Sequence, residues 1–475
     1  DTSLRAAEVN SSRNSVLGAG VKSDNSSITS GTLRIDASGQ LTAQGKNISG
    51  TAQNFNARSI DLSGSQTQSR DVALTAQSGD INLSGAEVLT SHSLSASTTS
   101  VLYTNNARLI ADKITFNAQT LSNVGGVIAQ TGTTDFNLNL PGYIDNRDGT
   151  LLSAGTFSLQ AEGVNSNGNS LLGAGIQSDG RLTDSGDLVV KTRQELVAQG
   201  QTLAAGAMTL SGSRVDLTDS YTQAREMNIT ATQGDISTQR ANILALGALT
   251  INASANAGQT LNNQSGALAA NTVSLNLGQL DNNAGKITAS EDLAISLQRD
   301  FTHLAGSTLQ AGRDFTLTTA GDLTNNGQML AGGKLSTDSN SLLNTADIIA
   351  AQTNLTTVGA LINSGDILTR GLLNTDVNTL FNTGTIISAQ ATLKARERIT
   401  NSGPNALIGA TDENGTLALL APVIENSDTV TDTDTAPTTT ILGMGTIILA
   451  GGQDSGGNYL RAAQVLNLSG LIESG

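Results

Sequence analysis

Acid–base chemistry in this chain has two histidines to draw on, His92 and His303, and thiol chemistry has nothing, because its 475 residues include no cysteine. Neither histidine stands beside the nucleophile, carboxylate or second ligand that a triad or a metal site requires, so each is read as a polar surface residue. Gly-Asp steps recur at Asp80, Asp235, Asp322 and Asp366. Paired carboxylates of that kind cut polysaccharides in some β-helical enzymes, but recurrence at corresponding places marks them as turn residues. The run Gly451, Gly452, Gln453, Asp454, Ser455, Gly456, Gly457 looks like one copy of a calcium roll without its third glycine, and a calcium roll acts in tandem copies. It is read as a hairpin-like loop. The four tyrosines, Tyr103, Tyr143, Tyr221 and Tyr459, lie too far apart in sequence to suggest a stacked sugar platform. No catalytic, cofactor-binding or metal-ligating residue is assigned.

What the sequence does specify is the scaffold. Asn325, Asn344, Asn363, Asn382 and Asn401 stand 19 residues apart, each two residues after Leu323, Leu342, Leu361, Leu380 or Ile399. A fixed period near 20 residues marks a solenoid, whose units cannot bury their apolar faces alone and must stack. The register continues upstream in looser form through Gly266, Gly285, Gly306 and Gly327. An apolar ladder runs beside it, with Met329, Ile348, Ile367 and Ile386 again 19 apart.

A longer repeat overlies the short one. Asn14 to Asp24 (NSVLGAGVKSD) returns as Asn169 to Asp179 (NSLLGAGIQSD), an offset of 155, which is 169 minus 14. Downstream the alignment resumes at an offset of 159, where Leu102 and Leu121 meet Leu261 and Leu280. Four residues have been gained between the copies, as expected of a loop at one corner of a turn.

Within a turn the apolar positions alternate, as in Leu361, Asn363, Gly365 and Ile367, and period two argues strand. The leucine frame of leucine-rich repeats is missing, and the chain has no tryptophan to build propeller blades. The expected fold is all-β, a right-handed parallel β-helix forming a solenoid rod. Stacked turns would place identical asparagines about 4.8 Å apart, close enough for an amide ladder. Alternatively, asparagine serves there as a corner residue tolerating left-handed backbone. Both roles are structural.

Composition agrees with strands and turns. Charged residues make up 14% and aromatics 2%, while 51 residues are glycine. The 37% of hydrophobic residues fall in strict register, which disordered chains lack. A net charge of −15 without any basic run excludes nucleic acid as a partner. No apolar run approaches the roughly 20 residues of a membrane span, and the start at Asp1 carries no signal peptide. The chain is read as an internal piece of something longer.

Three segments follow. Residues 1–425 form the repeat β-helix, with tandem copies at about 8–160 and 163–320 and regular 19-residue turns at about 321–403. Residues 426–440 (NSDTVTDTDTAPTTT) form a Thr/Asp-rich insert or junction. Residues 441–475 alternate again without the asparagine register and begin a distinct β-helical region.

Units such as LINSGDILTRGLLN, LFNTGTIISAQATL and LDNNAGKITASEDLAISL resemble the filamentous haemagglutinin repeats of exoproteins secreted by two-partner systems of Gram-negative bacteria. The resemblance covers about residues 8–425. The tail VIENSDTVTDTDTAPTTTILGMGTIILAGG is similar to the junction after the first repeat block in contact-dependent growth inhibition proteins. That likeness implies a stalk outside the outer membrane, secreted through an outer-membrane transporter and ending where a receptor-binding region starts near residue 441. It also implies a receptor on the target bacterium and a toxin delivered from farther along the protein. A monomeric rod without enzymatic activity or cofactor is expected. The alternatives are a two-partner adhesin whose repeats touch host cells and a polysaccharide-cleaving β-helix enzyme.

Overall fold

The computed structural model describes residues 1–24, 30–177, 179–428 and 436–475. Its strands pair almost entirely in parallel, each with the strand one turn later in sequence, which is the hydrogen-bonding scheme of a parallel β-helix. Among the described residues no helix is long and apolar enough to cross a membrane. The chain divides into two units, Asp1–Gly247 and Ala248–Gly475.

In the first unit a turn consists of three short strands separated by corners, exemplified by Arg108–Ala111, Lys113–Asn117 and Thr120–Ser122. Alternation sends every second side chain inward. One inward file reads Ile60, Ile81, Leu102, Leu121 and Ile144, each at most 1% exposed and each opposite the next. Phe136 and Phe157 occupy matching places in adjacent turns, and their rings stack at 4.8 Å with 10° between planes. That distance equals the strand spacing, so like side chains pack best on like.

The two copies of NS(V/L)LGAG share one local device. Val16–Ala19 and Leu171–Ala174 each lead into an excursion before the next strand starts at Thr32 or Leu188. The neck of each excursion is closed by glycine against glycine. A Cβ on Gly186 would lie 2.4 Å from Gly175 Cα, and one on Gly31 would lie 2.7 Å from Gly20 N. Ile176 folds back over the outside of the sheet, where it buries Leu152 and Ala129 in a small apolar cluster. The four residues gained between the copies fall at the corner between Ala248–Ala253 and Thr260–Asn262.

In the second unit the inward file runs Met329, Ile348, Ile367, Ile386, Ile408 and Ile441 in unbroken register, all at most 1% exposed. Of the insert expected at 426–440, residues 429–435 lie outside the described residues. Beyond it, Thr440–Gly443 pairs with Leu407–Ala410, and Gln464–Leu468 pairs with Val423–Ser427. Between them, Gly452–Gln453 and Tyr459–Leu460 pair antiparallel as a hairpin.

Candidate functional site

The strand Leu342–Asn344 shows how the asparagines are set. Leu342 and Asn344 share one parity, both point inward, and the pair ends its strand at a corner whose backbone carbonyls need donors. Asn325, Asn344, Asn363, Asn382 and Asn401 are each 0% exposed. Each Nδ2 donates to the Oδ1 of the asparagine one turn on, at 2.7 Å for the first three links and 2.8 Å for Asn382 to Asn401. The same Nδ2 of Asn363 also donates to the carbonyls of Gly365 and Thr385, at 3.0 and 3.2 Å. One amide thereby serves its own corner and the next. None of the five has a left-handed φ; that backbone occurs at other positions such as Asn106 and Asn405.

The file of amides extends beyond the five residues picked out by the 19-residue step. Asn401 donates to Asn426 at 2.9 Å, and Asn426 donates to Asn467 at 3.0 Å. The reading that residues 441–475 abandon the asparagine register is therefore corrected. Asn467 is opposite Asn426, but the insert and the hairpin stretch that step to 41 residues and hide it from a search at 19. Upstream, Asn123 bonds Asn146 at 2.7 Å, and Asn263 bonds Asn282 at 2.7 Å. The first step is 23 residues, because the corner is longer, whereas the second keeps the 19-residue period but stands apart from the run that starts at Asn325.

His303 requires a second correction. Expected on the surface, it is 1% exposed and stands opposite Asn325, in the place an asparagine holds in later turns. Its Nε2–H donates to the Gln328 carbonyl at 3.1 Å, the bond that Asn363 makes to Thr385. Its ring packs against Phe301 at 6.5 Å. Burial pushes the imidazole below its ordinary pKa, partly offset by the Gln328 carbonyl.

His92, by contrast, is exposed, with Nδ1 2.6 Å from Asp71 Oδ1. Ser93 Oγ donates to the same carboxylate oxygen at 2.5 Å. The hydroxyl therefore turns to the carboxylate and not to the imidazole, which is not the arrangement of a nucleophilic relay. Burial opposes ionisation of Asp71, yet the Ser93 and His92 hydrogen bonds outweigh it and hold the carboxyl below its ordinary range.

The Gly-Asp carboxylates are distributed over separate turns. Asp80 accepts from Ser100 Oγ and from the Val101 N–H, at 2.5 and 3.1 Å, tying one corner to the next. Asp322 accepts from Asn340 Nδ2 at 2.6 Å, and Asp366 lies in register with Asp347. Within the hairpin, Asp454 Oδ1 accepts from the N–H groups of Gly456 and Asn458, and the Asn458 bonds keep its carboxyl below the usual range. No group of three or more His, Asp or Glu side chains among the described residues is placed to hold a metal ion.

On the outside, Leu343, Ile362 and Phe381 form an exposed apolar file on three successive turns, bounded by Thr324 and Thr400. Each precedes a ladder asparagine and so faces the opposite way.

The haemagglutinin-repeat family profile matches residues 1–45, 131–191, 176–239, 244–301, 302–359 and 353–403. Over 99% of its length the chain is 61% identical to Toxin CdiA of Yersinia pestis, of which it covers 15%. Over 70% of its length it is 36% identical to tRNA nuclease CdiA-2 of Burkholderia pseudomallei (strain 1026b), of which it covers 9%. The chain thus spans less than a sixth of either relative. No solved structure matches it.

Proposed function

The chain belongs to the haemagglutinin-repeat family, and from that premise we propose that it is a stalk segment of a secreted cell-surface filament that delivers a toxin to neighbouring bacteria. The observation that carries this reading is the 61% identity to Toxin CdiA along nearly the whole chain, combined with the small share of that protein which the chain represents. A toxin needs a reacting site. A run of like turns whose inward files hold leucine, isoleucine and asparagine supplies length and stiffness instead.

In this proposal the filament leaves a Gram-negative cell through the outer-membrane transporter of a two-partner system and stands outside the outer membrane as a monomeric rod. Residues up to 425 give reach, and the region near or beyond residue 441 approaches an outer-membrane receptor on the target cell. The segment itself is not an enzyme and uses no cofactor. Binding of purified protein to recipient bacteria tests the division. A chain ending at residue 425 should fold and fail to bind, whereas one extended past Gly475 should bind. Equal binding by both would transfer recognition to the repeats.

The second reading, a two-partner adhesin whose repeats contact host cells, has one observation in its favour. Leu343, Ile362 and Phe381 are 36%, 40% and 41% exposed and aligned along the axis, a linear apolar feature that a partner could cover.

A further inference from the structure

We infer that the outer face around Tyr143 is a binding site for a neutral pyranose, a role separate from reach and from the region beyond residue 441. Tyr143 opens the strand Tyr143–Asp145 and is paired with Gly163. A Cβ on Gly163 would lie 2.8 Å from Tyr143 Cε1 and 3.0 Å from Cδ1, so the ring rests on bare backbone. The phenol O–H donates to Gln194 Oε1 at 2.7 Å, two turns away in the ladder. Gln194 is held in turn, its Nε2 donating to Glu162 at 2.8 Å. The ring is therefore held against Gly163 and anchored at its hydroxyl, yet remains 50% exposed.

Beside it lies a groove of about 300 Å³ lined by Asp145, Asn165, Gln194 and Glu195. Asn165 Oδ1, buried in the floor beneath the groove, has no hydrogen-bond partner. An exposed aromatic ring suits an apolar ligand surface, while carboxylates and amides at its edge suit hydroxyls that both donate and accept. A pyranose ring presents both, a C–H face and an equatorial belt of hydroxyls.

Charge decides between a sugar and an ammonium, which also favours tyrosine beside carboxylates. Asp145 is paired with Arg147 at 2.7 Å, Glu162 with Arg193 at 3.2 Å and Glu195 with Arg214 at 3.8 Å. Three carboxylates face three guanidiniums, so the site has no net charge for a cation to neutralise. An acidic sugar would gain a guanidinium only by displacing its carboxylate.

Saturation-transfer NMR on the whole 475-residue chain tests this with methyl β-D-galactopyranoside, methyl β-D-glucopyranoside, methyl β-D-glucuronide and choline. Transfer is expected to the C–H protons of at least one neutral glycoside, and transfer to the glucuronide and choline should be at least fivefold weaker. Tyr143→Ala should lower affinity at least tenfold. Gly163→Ala, whose Cβ lifts the ring, should lower it severalfold, and Tyr143→Phe, which keeps the ring but loses its anchor, about threefold. Tyr221→Ala serves as control, because that exposed phenol bonds Gln223 in its own strand. Melting curves matching the parent show that each variant is folded. Absence of transfer to both neutral glycosides, transfer surviving Tyr143→Ala, or preference for choline or the glucuronide would overturn the assignment.

Discussion

His303 and Asn325 are register partners in adjacent turns, both buried, and no hydrogen bond joins their side chains. His303 Nδ1 and Asn325 Oδ1 are each left without a partner. Every later asparagine from Asn344 to Asn426 receives a donor on its Oδ1 from the turn before. The imidazole has a single N–H in its neutral form, and that proton goes to Gln328. The ladder therefore begins at Asn325 with an unfilled acceptor.

His303→Asn should repair that break. An asparagine there supplies two amide hydrogens, enough for the Gln328 carbonyl and for Asn325 Oδ1. Satisfying Asn325 Oδ1 is worth about 1 to 3 kcal/mol, against about 1 to 2 kcal/mol for the packing lost with the smaller side chain, while the new amide oxygen takes over the unfilled acceptor place of His303 Nδ1. The net expectation is a gain of about 1 kcal/mol, read as a higher denaturant midpoint at unchanged slope. A lower midpoint would mean that ring packing on Phe301 outweighs hydrogen bonding.

His303 should also make stability depend on mild acid. Its pKa is lowered in the folded chain, so between that depressed value and about pH 6.5 the unfolded chain binds the extra proton. Stability is then complete above about pH 6.5 and falls as pH drops through this window. The carboxyls of Asp145, Asp219 and Asp292, lowered chiefly by their arginine partners, act in the same direction but at lower pH, losing their contribution only below about pH 4. Melting the parent and His303→Asn from pH 5 to 8 separates these terms. A parent curve no steeper than that of the variant between pH 5 and 6.5 would rule out His303 as the cause.

Asn363→Leu removes one rung from the middle of the ladder. Asn382 Oδ1 and the Gly365 and Thr385 carbonyls lose their shared donor, and Asn344 Nδ2 loses an acceptor. A loss of about 1 to 3 kcal/mol is expected. Denaturant melts that overlay the parent would show that water or backbone adjustment satisfies these groups.

The inward files were legible in the sequence wherever corners keep a constant length. From Leu323 to Ile399 the step never changes, so parity and register could both be read directly. Where corners vary, side chains still meet but the period is lost, as at Asn123 with Asn146 and Asn426 with Asn467. His303 was missed for a different reason. Hydrogen-bonding geometry lets an imidazole stand in for an amide, whereas a search by residue type sees only an isolated histidine. The Tyr143 groove was invisible because its makers, Gly163 and Gln194, are 20 and 51 residues away, and an absent side chain matters as much as those present.

Deleting residues 344–362 tests whether the turns are interchangeable. The cut removes one full 19-residue step and joins Leu343 to Asn363, the residue one turn on from the deleted Asn344. Asn325 would then donate to Asn363, and Met329 would pack on Ile367, so each file closes over the gap. Stability of a solenoid is nearly a sum of unit and neighbour terms, so melting should shift by only a few degrees. Removing residues 344–361 instead puts every downstream side chain out of phase by one residue at the junction, exchanging inward and outward faces. That variant should be strongly destabilised. Under the proposed function, the in-register deletion in the complete protein should leave inhibition of neighbouring cells intact, because a stalk one turn shorter, by about 4.8 Å, still reaches. Inhibition abolished by the in-register cut, with folding preserved, would place a partner contact on Ile362 or its turn and favour the adhesin reading.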